Sequence, residues 1–568
     1  MNYKKEKKKK SEKENEQQLL DSVLKKITEY TQYTSTDRQV IDEISNTYIG
    51  REDSNTRTPY KNSETIPKLR TEVNFIKPFI FSGDPEFEVV GQEDNDKTLA
   101  YIIEKILNWR LTHIEDYYNK IEDWVHQAVV FGFSIIRPNW NFQTKENQDG
   151  TETPIIDEPT LEVPEILDIF YNPNVSSVKE QYCLVFRLIL NLENVKKNKM
   201  YNYTNELGKL NRDELKAKNK NTKTGYNSTY SIAQNNSSNV IGDGLIEIVE
   251  SVSRDRIITI ARGEKDLVLR DSKNYDGVIN AVKFVFEKKP FPNRFDGFGV
   301  GHNVKGLGTL FYRLLNQSLD NVILANNPMF IFRRGANVNK SQLVAKPGGG
   351  IAVDLDKGSL DDNIRPIMFP DLKQGIIELM NKVDDEHKRA SGASDLIQGS
   401  TSNKTLGQDE IAQSNVSRRF DLIVRRFKKS FAELGKMLLD MELKRLQSVD
   451  SDILKIFPEE SREDIYLLLV NEANKVKWDI TVKGETNVTQ DKNLQSRRLI
   501  DLLNLSADIL TNKEKRALLR RIAERQGEQN IDDIIAESDP MMEEQERMQA
   551  QQESLDPQML PTPGSNQL

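Results

Sequence analysis

The chain has 568 residues, with 80 Lys and Arg against 88 Asp and Glu and a formal net charge of -8. That length exceeds one hydrophobic core and predicts about three or four modules, and the acidic balance excludes a protein that grips nucleic acid by bulk charge. The lone Cys183 excludes an intramolecular disulfide and suits a reducing compartment, while His113, His126, His302 and His387 lie too far apart for a local zinc motif.

The N-terminus "MNYKKEKKKKSEKEN" has no apolar segment after it, so residues 1–15 read as a basic disordered tail rather than a secretory signal. No apolar run approaches the roughly 18 residues that span a bilayer, and no membrane partner is expected. Leu20, Val23, Leu24 and Ile27, then Val40, Ile41 and Ile44, have helical spacing and predict two short helices. Gly83 and Pro85 mark a turn before an alternating strand through Phe87 and Val89. Two helices follow, carrying Leu99, Ile102, Ile103 and Ile106, then Ile121, Trp124, Val125 and Val129; Gly132 ends the second, and "FSIIRPNWNF" is a strand. Residues 144–160 read as a turn-rich loop, "EILDIFYNPN" and "YCLVFRLIL" as β structure, and 202–243 as an Asn-rich mobile insertion. "LIEIVESVSRDRIITIARGEKDLVLRDS" and "AVKFVFE" together read as a small antiparallel meander, so residues 70–290 are α+β.

From Leu307 the apolar residues recur at three and four until "NNP" stops the helix. Short β-like pieces, "MFIFRR", "GGIAVDL" and "IRPIMF", lead to a second helix of matched length after Pro370. If the two helices pair antiparallel, the β pieces form a knob on a stalk. The Gly/Ser/Thr-rich "SGASDLIQGSTSNKTLG" is too polar to be buried and opens into the longest helical pattern, in which Val416, Phe420, Ile423, Phe427, Phe431, Leu434, Leu438 and Met441 form one stripe. "KWDITVKG" is a strand, residues 489–525 are helical, and residues 526–568 are acidic with the single basic Arg547, again a disordered tail.

No constellation predicts catalysis. "KKPFPNRFDGFGVGHNVKGLG" lacks the G-x-G-x-x-G spacing, and Gly306 is followed by Leu307 rather than Lys, so Gly297, Gly299 and Gly301 read as a hinge where the backbone turns tightly into a helix. Asp384 and His387 share a helix face at i,i+3 but lie beside Lys388 and Arg389, and the favoured reading is a solvated charged face, not a metal site. No cofactor and no metal are expected. Two basic groups stand out. Arg333, Arg334, Lys340 and Lys346 charge the knob and favour an anionic partner. Arg418, Arg425 and Lys429 lie opposite the apolar stripe of the long helix, as a solvent face or as a seam meeting DNA or an acidic neighbouring subunit.

"SGDPEFEVVGQED" followed by paired helices, "FGFSIIRPNW", "PFPNRFDGFGVG", "LLNQSLDNVILANNP", "VAKPGGGIAVDL" and "SNKTLGQDEIAQS" occur in an order that resembles the portal proteins of tailed bacteriophages, most like those of short-tailed phages, over roughly residues 70–520. The resemblance implies a multidomain α+β fold with an α/β wing (16–300), stem helices (301–327 and 371–391), a small β-rich clip (328–370), a tunnel loop (392–407), a long central helix (408–448) and a helical crown (449–525). It implies a noncatalytic subunit of a closed ring of about twelve copies at one capsid vertex, through which double-stranded DNA is packaged and ejected. The implied partners are the terminase large subunit, a head-completion adaptor or tail protein, and the major capsid and scaffolding proteins, in a virion assembled in the host cytoplasm. Ser400, Thr401, Ser402, Asn403 and Lys404 would face DNA, and the clip cations would meet docking partners. The Lys-rich N-terminus, Asn-rich insertion and acidic tail depart from the pattern. Two other classes stay open on sequence: a monomeric minor capsid or scaffold-like binding protein, and a nucleic-acid-processing enzyme.

Overall fold

The computed structural model describes residues 2–50, 64–81, 85–91, 96–146, 152–198, 200–201, 245–262, 266–326, 329–332, 337–338, 353–354, 364–367, 374–393, 406–446, 451–472, 478–483 and Leu519. The chain divides into two units, Met1–Gly484 and Glu485–Leu568. Of the second unit only Leu519, a helical residue, is among those described. The expected insertion at 202–243 and the acidic tail at 526–568 lie outside the described residues, as does nearly all of the crown's helical segment.

The protein is mixed α+β. Its N-terminus differs from expectation: α1 (Asn2–Tyr33) is one helix of 32 residues that includes the Lys-rich stretch. Lys, Glu and Gln are good helix formers, and extending a helix already nucleated by a packed half costs little. That packed half is Leu20, Val23 and Tyr30, which cover one face of a five-stranded antiparallel sheet. The sheet runs in the order β4-β5-β6-β7-β8, with β4 (Ile169–Phe170), β5 (Cys183–Asn191), β6 (Leu245–Ser253), β7 (Arg256–Arg262) and β8 (Leu267–Lys273). In β5 the side chains alternate, Cys183 and Val185 toward α1, Leu184 and Phe186 into a cluster with Phe133 and Ile135 on the opposite face. Residues 166–168, expected as strand, form a 3-10 turn before β4.

A second sheet of three strands, β3-β2-β9, corrects two expectations. Residues 152–162 are not loop but β3 (Glu152–Glu162), paired antiparallel with β2 (Phe133–Glu146). Pro154 and Pro159 disguise the strand, yet β3 is an edge, where a missing N–H costs no ladder bond. "AVKFVFE" leaves the meander: β9 (Val282–Val285) pairs with β2 instead. The buried Arg137 of β2 joins the two sheets, its guanidinium 2.6 Å from Glu250 of β6 and stacked 4.0 Å from the Phe186 ring.

The main core gathers α2 (Ser35–Ile49), α3 (Lys68–Ile80), α4 (Lys97–His113), α5 (Tyr117–Phe131) and the long helix α9 (Leu406–Arg445). The elements between β9 and α9 are β10 (Glu287–Lys288), β11 (Gly297–Phe298), α7 (Val300–Asn326), β12 (Met329–Phe332), β13 (Asn337–Val338), β14 (Val353–Asp354), β15 (Ile364–Ile367) and α8 (Gln374–Ser391); α6 (Leu192–Lys197) follows β5, and α10 (Glu459–Glu472) follows α9. At about 60 Å, α9 is a rod, and Phe420, Phe427, Phe431, Leu434 and Leu438 bury its expected stripe. The Phe431 ring stacks on Phe87, centroids 4.6 Å apart. Phe87 sits in β1 (Glu86–Gly91), which pairs with β16 (Trp478–Lys483), nearly 400 residues away in sequence. Both strands were expected; their pairing was not.

Candidate functional site

The helix pair α7 and α8 is antiparallel: Gly308 of α7 lies beside His387 of α8, while Ser318, further along α7, reaches Met380, earlier in α8, at 3.6 Å. Phe311, Tyr312 and Val383 are buried between the helices, with Leu314, Leu315 and Met380 packed against them. α7 spans about 40 Å and α8 about 27 Å, so the matched lengths expected are corrected: α7 starts at Val300, about two turns before the expected Leu307. Beyond them β12 and β15 continue the pairing antiparallel, Met329 opposite Ile367 and Phe332 opposite Ile364, and β13 pairs with β14. Of the β pieces foreseen between the helices, the described residues thus form two separate antiparallel strand pairs.

The root of the pair is tied to α2 and α3 by polar contacts, one of them fully buried, that sequence reasoning missed. His387 Nδ1 lies 2.7 Å from Glu72 Oε1, both side chains buried. Lys68 forms an ion pair with Asp384, with its ammonium 3.3 Å from the Phe311 ring centroid. The favoured reading of Asp384 and His387 as a solvated face is thereby corrected for His387, which α3 covers, while Asp384 stays half-buried beside Lys68. Asn316 holds Glu64 through both its side-chain atoms, Nδ2 donating to the carbonyl at 3.1 Å and Oδ1 accepting from the N–H at 2.8 Å. Lys305 meets Glu43 of α2 at 2.6 Å. Each contact joins segments far apart in sequence, so no local pattern signals it. Among the described residues no His, Cys, Asp or Glu cluster could hold a metal ion, and no helix is long and apolar enough to cross a membrane.

At the start of α7, Gly297, Gly299 and Gly301 have no positive φ. What glycine supplies there is clearance. A Cβ on Gly299 would strike Val130 O and the Gly132 backbone, and one on Gly301 would strike Ile44. Gly132 itself has φ +97 and abuts Gly297, so the end of α5 and the start of α7 meet backbone to backbone. Beside them Asp37 of α2 receives Lys289 at 2.9 Å and Arg294 at 2.8 Å, and both cations also pair with Asp296. Burial pushes the Asp296 carboxyl up, but Lys289 and Arg294 outweigh it and hold it below the usual range.

His302 reports on this junction. Burial, helped by Lys289, lowers its pKa from 6.5 to about 4, and its Nδ1 accepts a hydrogen bond from the Gly299 N–H at 3.2 Å. An unfolded imidazole takes its proton near pH 6.5, before the folded one does, so the stability it contributes is complete above that pH and is lost as pH falls toward 4. The expected loss is on the order of 3 kcal/mol. His302→Gln, which keeps an acceptor but does not titrate, should flatten this acid limb in unfolding midpoints taken at pH 7, 5.5 and 4.5; an unchanged acid slope would exclude His302 as its source.

Of the basic residues opposite the α9 stripe, Arg425 and Lys429 are exposed, and Arg418 lies in the same helix. Arg333, Arg334, Lys340 and Lys346, and the polar loop residues Ser400 to Lys404, lie outside the described residues.

The described residues thus define a mixed α+β protein with an antiparallel helix pair rooted in its body. Residues 250–559, more than half of the chain and the part that carries this helix pair and the long rod, match the family described as the phage SU10 portal protein. The chain belongs to that family and is a tailed-phage portal protein. No curated relative matches it.

Proposed function

We propose that this portal protein closes into a ring at one capsid vertex, forming the channel through which DNA is packaged and ejected and the platform on which the terminase and a tail or neck adaptor dock. The observation that carries the ring is on the helix pair. Leu310, Val322 and Ile323 of α7 and Ile377 and Leu379 of α8 are 41–50% exposed in the single chain. Exposed apolar side chains on the paired helices suit burial by another copy, and a head-to-tail contact that closes generates a ring. In this reading residues 16–300 are the wing, α7 and α8 the stem, 328–370 the clip, 392–407 the tunnel loop carrying Ser400 to Lys404 toward DNA, and 449–525 the crown. Gly297, Gly299 and Gly301 then stand where the wing passes into the stem, at the pivot of any tilt between them.

Native mass spectrometry of the purified chain tests the ring: a closed assembly of many copies is expected, and a persistent monomer across assembly conditions would return the chain to the minor-capsid class. Within rings, Arg333→Glu, Arg334→Glu and Lys346→Glu together should leave assembly intact and weaken capture of terminase or adaptor. Unchanged capture would reject the clip assignment.

A further inference from the structure

The Leu422–Lys429 stretch of the outer face of α9 and the outer face of α10 carry opposite charge on matching spacings. On α9, Leu422 is 61% exposed, and Arg425 and Lys429 follow it on the same face; beyond them the face is mixed, Lys436 alternating with Glu433, which pairs with Lys179, and Asp440. On α10, Glu460, Glu463 and Asp464 are exposed, followed by Leu467 at 49% and Val470 at 46%. The buried sides of both helices are committed to the main core, through Phe427 and Phe431 on one and Ile465 and Leu469 on the other. Among the described residues, none of Arg425, Lys429, Lys436, Glu460, Glu463 and Asp464 has an ion-pair partner within the chain.

We infer that the basic face of α9 in one subunit docks antiparallel on the acidic face of α10 in the next, as the two unlike halves of a head-to-tail contact. The inference rests on the ring proposed above and names the surfaces that close it. Two arguments select a second copy over another occupant. First, the steps agree. From Leu422 the face advances three residues to Arg425 and four more to Lys429, and from Leu467 it goes back three to Asp464 and four more to Glu460. Laid antiparallel, Leu422 meets Leu467, Arg425 meets Asp464 and Lys429 meets Glu460 over a span of about 10 Å on each helix. Second, each face carries an exposed leucine beside its charges, so an apolar pair registers the contact while the ions set its polarity. A DNA backbone has the charge for α9 but nothing to match Leu422. A ring also requires that the two halves be different patches of the same chain, as these are.

Charge reversal separates this inference from the ring itself. Variant one carries Arg425→Glu, Lys429→Glu and Lys436→Glu; variant two carries Glu460→Lys, Glu463→Lys and Asp464→Lys. All six positions are exposed, so each variant should keep the far-ultraviolet spectrum and unfolding midpoint of the parent. Native mass spectrometry should show that neither variant closes a ring alone, because each presents like charges to itself. Their equimolar mixture should close rings holding equal numbers of the two, since alternation pairs every acidic face with a basic one. A parent that closes rings while either variant alone does so equally well, or while the mixture fails, overturns the inference and leaves the ring standing. Variant one keeping full ring closure but losing duplex DNA binding in a mobility-shift assay would assign the α9 face to nucleic acid instead. A parent that never closes a ring removes the ring reading, and this inference with it.

Discussion

Glu442→Ala should destabilise the folded subunit by about 3–5 kcal/mol. Glu442 of α9 meets Arg110 of α4 through Oε1 to Nε at 2.5 Å and Oε2 to Nη2 at 3.4 Å, with the two side chains only 3% and 7% exposed. Burial pushes the Glu442 carboxyl above the usual carboxylate range, and Arg110 offsets part of that rise. The pair itself contributes little net stability, because removing two ions from water costs about as much as their attraction returns. Removing one ion is different: the remaining guanidinium stays in the core without a counter-charge, beside the Trp109 ring at 5.1 Å. The double variant Arg110→Met with Glu442→Leu should therefore recover most of the loss. Urea unfolding of parent, single and double variants measures this, and a double variant as damaged as the single one would contradict the pairing account.

Phe431→Ala should cost a similar amount, about 3–5 kcal/mol, for an unrelated reason. Its ring is fully buried, stacked on Phe87 and tilted against Phe427 with centroids 5.9 Å apart. Gly435, one turn further along α9, gives the Phe87 ring its place: a Cβ there would sit 2.6 Å from Phe87 Cε1. Neither neighbour can close over a vacated Phe431 site without losing its own packing, so a cavity remains. Phe431→Leu, which fills most of the volume, should cost under half as much. Equal losses for the alanine and leucine variants would mean that the ring is not what fixes β1 and β16 against the rod. Both substitutions act on α9, whose outer face we assign to the neighbouring subunit, so a loosened rod should also weaken ring closure.

The sequence by itself determined the elements whose information is local. The apolar stripe of α9, the helices α4, α5 and α7, the three-strand run of β6 to β8 and the exposed charges Arg425 and Lys429 all follow from period and composition over a few turns. The portal resemblance was also legible, because it lies in the order of such elements, and the family match covers the part where they are densest. The tertiary structure decided what depends on partners distant in sequence. β9 chose β2 over the adjacent meander, β1 met β16, and β3 formed despite two prolines because it lies at an edge. His387, polar enough to read as solvated, became buried against Glu72 of α3, and Asp384 became a half-buried partner of Lys68. Gly297, Gly299 and Gly301 suggested a turn, but what they accommodate is the end of α5, a neighbour that no window of sequence around them contains. Periodicity reports which face of an element is apolar; which surface covers that face is set by packing among segments that loop closure brings together from far along the chain.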